Sequence, residues 1–152
     1  MEGPATRRAD GLDLGPLAAV VGYNVAQAAV TTTGTYNRHI GERFALRKVE
    51  FSLLMLLLAN GPLTPKQLAR ELALSAPALT LLLDTLQARG VLKRERNEAD
   101  RRSQFIRLTD EGQALAQASG SACGPMEREL LDRLSVAERA ILIELLRKLN
   151  GE

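Results

Sequence analysis

This 152-residue chain has only one cysteine and one histidine, and aromatic residues make up only 3% of it. Cys123 has no partner for an internal disulfide, so a reducing, cytoplasmic setting is expected. The same scarcity leaves too few ligands for a structural zinc site. The longest strongly apolar run, 51–59, is about half of the ~20 residues needed to cross a bilayer. The start of the chain, 1–15, is polar and broken by Gly and Pro, unlike a basic-then-apolar leader. There is also no nucleophile paired with a base, no close carboxylate pair in an apolar setting and no Gly-rich phosphate loop. An enzyme is therefore not expected, and no cofactor is called for.

What is present is an ordinary globular mixture, 45% hydrophobic and 25% charged. The length suits one compact domain with an oligomerisation arm, not two independent lobes. The net charge of +2 hides an uneven distribution. Residues 1–46 carry four basic and four acidic groups; 47–109 carry eleven basic against six acidic, a net of +5; 110–152 carry five basic against eight acidic, a net of −3. Within the middle segment Lys93, Arg94, Arg96, Arg101, Arg102 and Arg107 crowd fifteen residues. Concentrated cationic charge on one element is what a phosphate-backbone binder needs, although a solvated charged hairpin has the same composition.

Apolar residues at helical spacing (Leu17, Val20, Val21, Val25, Ala28, Ala29) predict a helix over about 14–39, with a bend where Thr31, Thr32, Thr33 and Gly34 lower the propensity. Residues 41–45 read as a connecting loop. A second helix, 47–59, is apolar nearly all round and is expected at the centre of the fold. Gly61 should end it in a left-handed conformation, with Pro62 preventing continuation. Thr64, Pro65 and Gln67 form a capping-box start for a short third helix to about 72. Ser75 and Pro77 start a fourth, with Leu79, Leu82, Leu83 and Leu86 on its inner face and Gly90 at its end. This pair is a helix-turn-helix pattern. The period then changes: 91–96 and 104–108 alternate apolar and charged residues around a polar turn, which predicts a β-hairpin. Thr109 caps a helix to about 122, Gly120, Gly124 and Pro125 break it, a further helix follows over 126–134, and Ser135 with Glu138 opens the last.

A helix-turn-helix followed at once by a charged hairpin is a winged helix, in which the second helix can enter a major groove while the hairpin reaches the flanking backbone or minor groove. Leu68-Ala69-Arg70-Glu71-Leu72, Leu79-Thr80, Leu82-Leu83-Asp84, Leu86, Gly90-Val91-Leu92-Lys93-Arg94, Asp100-Arg101-Arg102-Ser103 and Leu108-Thr109-Asp110-Glu111-Gly112 together resemble the MarR family of bacterial winged-helix transcription regulators. The resemblance runs from about 47 to 115. It implies a mainly α fold with a small hairpin wing: a tail over 1–12, a dimerisation helix and linker over 13–46, a winged helix-turn-helix DNA-binding domain over 47–109, and C-terminal dimerisation helices over 110–152. It further implies a homodimer on double-stranded DNA, a pseudo-palindromic operator, repression as the commonest mode, and release by a small aromatic or phenolic anion.

By that resemblance Arg102, positioned by Asp100, enters the minor groove, where a narrow groove concentrates negative potential; a surface ion pair is the alternative. Arg94, Arg96 and Arg101 are expected to meet phosphates, as are Lys66 and Arg70, with merely solvated side chains as the alternative for all five. Ser75, Ala76, Ala78, Thr80, Leu81 and Thr85 should face outward from the recognition helix. The family commonly has basic residues where this chain has Leu81 and Thr85, and no Lys or Arg lies between Arg70 and Arg89, so bidentate guanine readout from the helix centre is not available. Specificity is expected to lean on the wing, DNA shape and hydroxyl or thymine-methyl contacts. Tyr23, Tyr36, His39 and Arg43 are the candidate effector-cleft residues, with structural roles as their alternative. Cys123 is expected to be inert. The competing function is a winged-helix module that docks a protein through its apolar recognition helix and does not bind DNA specifically.

Overall fold

The computed structural model describes residues 10–100 and 103–151. The chain runs through a 3-10 helix Gly15–Ala19, then α1 (Val21–Tyr36), a π-helical segment Asn37–Gly41, α2 (Glu42–Phe44), α3 (Lys48–Asn60), α4 (Pro65–Glu71) and α5 (Ala76–Ala88). The hairpin β1 (Leu92–Arg96) and β2 (Gln104–Leu108) follows, then α6 (Asp110–Ser121), α7 (Cys123–Leu131) and α8 (Val136–Leu149). The expected mainly α fold with a two-stranded wing is what is found.

The core is leucine-built. Leu53, Leu54 and Leu57 of α3 bury against Leu68 of α4, Leu79, Leu82, Leu83 and Leu86 of α5, and Val91, Leu92 and Ile106 of the hairpin. The helix starts are made by the residues expected to cap them. Thr64 Oγ1 accepts from the Gln67 amide at 3.2 Å, Ser75 Oγ from Ala78 at 3.3 Å, Thr109 Oγ1 from Gly112 at 3.0 Å and Ser135 Oγ from Glu138 at 3.3 Å. The hairpin register pairs Leu92 with Leu108, Arg94 with Ile106 and Arg96 with Gln104. A further bridge joins the hairpin to the loop before α4: Leu63 N–H donates to Ile106 O at 3.1 Å and Ile106 N–H donates back at 2.7 Å. That bridge anchors the wing to the helix-turn-helix.

The N-terminal helix departs from expectation. It does not start near residue 14: Asp13 Oδ1 accepts from the Gly15 amide at 2.9 Å, Pro16 follows, and an extended Val20 separates the resulting 3-10 turn from α1. The threonine run lies inside the unbroken α1. The irregularity lies further on, at the π-helical Asn37–Gly41, and the segment expected to be a loop stays helical to Phe44, ending where Ala45 turns left-handed at φ 51°. Packing overrides propensity here. Thr35, Tyr36 and Ile40 are buried, and the Tyr36 hydroxyl donates to Leu46 O at 2.9 Å. Gly61 has the expected positive φ, 73°, but its ψ of −146° lies outside the left-handed helical region, in backbone space open essentially to glycine.

The break between the two late helices is one residue, Ala122. The second of them starts at Cys123 and not at 126, which puts Pro125 in its first turn, where no amide is needed for the helix ladder. Among the described residues no helix is long and apolar enough to cross a membrane, and no group of His, Cys, Asp or Glu side chains is placed to hold a metal.

Candidate nucleic-acid interface

The outer face of α5 carries Pro77, Ala78, Leu81 and Thr85, all exposed, and Leu81 is 69% exposed. Ala76 and Thr80 are exposed beside them, and Ser75 caps the helix, so the residues expected to face outward do so. The hydroxyls of Thr80 and Thr85 do not point freely into solvent. Thr80 Oγ1 donates to Ala76 O at 3.0 Å and Thr85 Oγ1 to Leu81 O at 2.9 Å. Lys66 and Arg70 of α4 lie on the neighbouring helix, both exposed.

Within the hairpin the cations fall into distinct roles. Lys93 Nζ lies 3.0 Å from Glu95 Oε1, and Arg107 Nε lies 2.9 Å from Glu95 Oε2. The two donors, Lys93 first, hold the Glu95 carboxyl below the usual carboxylate range. Glu95 thus neutralises part of a run that composition alone reads as uniformly basic. Arg94 is turned away from the position expected of a phosphate contact. Its Nη2 meets Asp84 Oδ1 of α5 at 2.6 Å and its Nη1 donates to Gln87 Oε1, and its side chain is only 24% exposed. Arg96 is exposed.

The base of the tip is tied by short bonds. Asn97 N–H donates to Ser103 O at 3.1 Å, Ser103 N–H to Asp100 O at 2.9 Å and Asn97 Nδ2 to Ser103 Oγ at 2.9 Å. Asp100 is exposed. Arg101 and Arg102, the leading wing residues, lie outside the described residues.

The four candidate effector residues make different contacts. Tyr36 is buried with its hydroxyl engaged and its ring 5.7 Å from that of Phe51. Burial, with the Glu50 carboxylate and then Cys123 adding to it, pushes its pKa up to about 12. His39 Nε2 lies 2.8 Å from Glu129 Oε2, Arg38 joins the same carboxylate, and Arg43 sits 5.1 Å over the Phe44 ring. The His39 bond first, then Arg38, holds the Glu129 carboxyl below its ordinary range. Tyr23 is half-buried several turns earlier on α1. A cleft of about 210 Å³ does open next to this cluster, between Thr31, Gly34 and Arg38 on one side and Glu129, Leu130 and Arg133 on the other. Spacing alone did not indicate it, because its walls come from helices far apart in sequence. The Cys123 thiol is half-buried, and burial, then Glu127, pushes its pKa up, which disfavours the reactive thiolate.

Residues 46–103 match the model of the MarR family. The chain is 27% identical over 119 residues to the HTH-type transcriptional regulator YdgJ of Bacillus subtilis, covering 76% of this chain and 73% of that one. It is 35% identical over 80 residues to the transcriptional regulator HosA of Escherichia coli O157:H7, covering 52% of this chain and 59% of HosA. Among solved structures it is similar to the transcriptional repressor CouR bound to a 23-mer DNA duplex, with TM-score 0.85, 28% identity and coverage of 91% of this chain and 98% of that one. CouR bound to p-coumaroyl-CoA is similar as well, with TM-score 0.81, 25% identity and coverage of 93% and 99%.

Proposed function

Because the chain belongs to the MarR family of DNA-binding transcriptional regulators, we propose that it is a cytoplasmic homodimeric repressor that grips a pseudo-palindromic operator with two wings and releases it when a small aromatic anion binds. Residues 47–109 form the DNA-binding part, and 13–46 with 110–152 form the dimer. The observation that carries the DNA-binding role is the pairing of an exposed α5 face with a hairpin braced to it through Arg94 and Asp84. One rigid unit then presents both elements to a duplex. Lys66, Arg70 and Arg96 supply phosphate contacts. Asp100, Arg101 and Arg102 supply the wing tip, on the strength of their sequence pattern. Repression and ligand release are supported by the likeness to CouR, a repressor solved with DNA and with p-coumaroyl-CoA. The effector anion is assigned to the cleft beside Arg38 and Arg133, whose lining includes none of Tyr23, Tyr36, His39 and Arg43, the residues expected from the sequence.

Fragments selected from genomic DNA by the purified protein, followed by mobility-shift titration over a range of salt, test this reading. Phosphate contacts make the logarithm of affinity fall with the logarithm of salt at about −0.9 per phosphate neutralised. Arg102→Ala is expected to weaken operator binding roughly fivefold or more, and a loss under about threefold would overturn the wing-centred version. The cation-free face of α5 favours a second reading, apolar docking of a protein, and a binding constant indifferent to salt would select that one.

A further inference from the structure

The polar side chains of the recognition helix are already committed within the protein. Ser75 Oγ caps the helix, the Thr80 and Thr85 hydroxyls donate to carbonyls one turn back, and Asp84 and Gln87 are both engaged by Arg94. No lysine or arginine occurs from 71 to 88. What remains at the surface is carbon: Leu81 at the centre, Pro77 and Ala78 one turn before it, and Thr85 one turn after. A threonine whose hydroxyl is folded back toward its own helix presents its methyl group outward.

In the major groove the one methyl group is the C5-methyl of thymine, while the other features that tell the bases apart are hydrogen-bond donors and acceptors. An apolar face laid on guanine or adenine would strip their acceptors of water without replacing it, a cost that discriminates against those bases. From this we infer that α5 selects its half-site by the thymine methyl groups, with Leu81 as the central specificity-determining residue and the Thr85 methyl beside it. This rests on the DNA-binding role proposed above and adds to it what the helix reads. The wing and α4 supply affinity, and the helix supplies a preference for thymines spaced along one groove face.

The test uses the full-length protein and its selected operator, with each half-site thymine replaced in turn by deoxyuridine. That change deletes the methyl and keeps every hydrogen-bonding atom. At one or two thymines the replacement is expected to weaken binding about fourfold, the effect of one buried methyl. In Leu81→Ala or Thr85→Ser that sensitivity should fall to near zero at the matching position, as a direct contact requires. Both side chains are exposed, and Thr85→Ser keeps the hydroxyl that bonds to the helix, so the variants should melt like the parent. Deoxyuridine without effect at every half-site thymine, with selective binding intact, would overturn methyl readout and leave the DNA-binding role standing. A deoxyuridine effect of equal size in the parent and both variants would assign it to duplex shape and overturn the inference as well. Failure to select any sequence would remove the DNA-binding role itself.

Discussion

Arg94 Nη2 stands 2.6 Å from Asp84 Oδ1, so the first strand of the wing is fastened by an ion pair to the recognition helix. The orientation of α5 relative to the hairpin is thereby set by a contact on the interface side of the domain. Removing the negative charge of Asp84 from a DNA-facing surface would by simple electrostatics strengthen binding. If the pair acts by holding geometry, Asp84→Asn should instead weaken operator binding by about fivefold, comparable to a partly exposed ion pair. Its salt slope should not change, because no phosphate contact has been removed. Titrations of Asp84→Asn and Arg94→Ala at several salt concentrations decide between the two. Tighter binding by Asp84→Asn would show that the pair does not position the helix.

Gly112 is held where no other residue fits. A Cβ there would come 1.7 Å from Val91 O, and backbone cannot move aside as a side chain can. The contact follows from Thr109, whose amide donates to Val91 O and whose hydroxyl donates to Gly90 O at 2.6 Å, drawing the start of α6 onto the end of α5. Gly112→Ala should cost about 3 kcal/mol or more, through displacement of α6 from the winged domain. A thermal melt within a degree or two of the parent would show that the close approach is not needed.

The elements that were legible in the sequence are those whose start and burial agree. Thr64, Ser75, Thr109 and Ser135 each announce a helix that then forms, and the leucines at 79, 82, 83 and 86 bury as their spacing demands. What failed was decided by contacts distant in sequence. The helical path through 37–44 is stabilised by burial of Tyr36 and Ile40 against Ala122, which lies far along the chain. The same limit hid the site. A run of arginines and lysines reads as one basic patch until the fold shows Glu95 taking two of them and Asp84 a third.

Tyr36 makes the molecule alkali-sensitive. Its pKa is pushed up to about 12 in the folded chain, against an ordinary value of 10.0. Between those values the unfolded chain loses the phenolic proton first and is favoured, so the stabilisation is complete below pH 10 and declines as pH rises toward 12. Tyr36→Phe should lower stability at neutral pH by about 1 kcal/mol, through the lost bond to Leu46 O, and should flatten the decline. Urea melts of both proteins from about pH 8 to about pH 11 measure the difference. Parallel curves would show that Tyr36 is not the titrating group.

None of the residues of α8 is buried, although it carries Ile141, Leu142, Leu145, Leu146 and Leu149, exposed by 37% to 64%. Leu142, Leu145, Leu146 and Leu149 line one side of a groove whose other wall is Val21 and Val25 of α1. A soluble monomer rarely leaves such a continuous stripe in water, and in the proposed homodimer a second copy related by a two-fold axis would cover it with the same stripe. Because the winged core owes nothing to α8, Leu145→Asp with Leu149→Asp should leave a folded protein of half the mass by light scattering. Its operator affinity should fall on the order of 100-fold, since the two half-sites, roughly 34–36 Å apart, are then bound one at a time. A parent protein that is already a monomer at micromolar concentration would refute the dimer, and the two-wing grip on DNA with it.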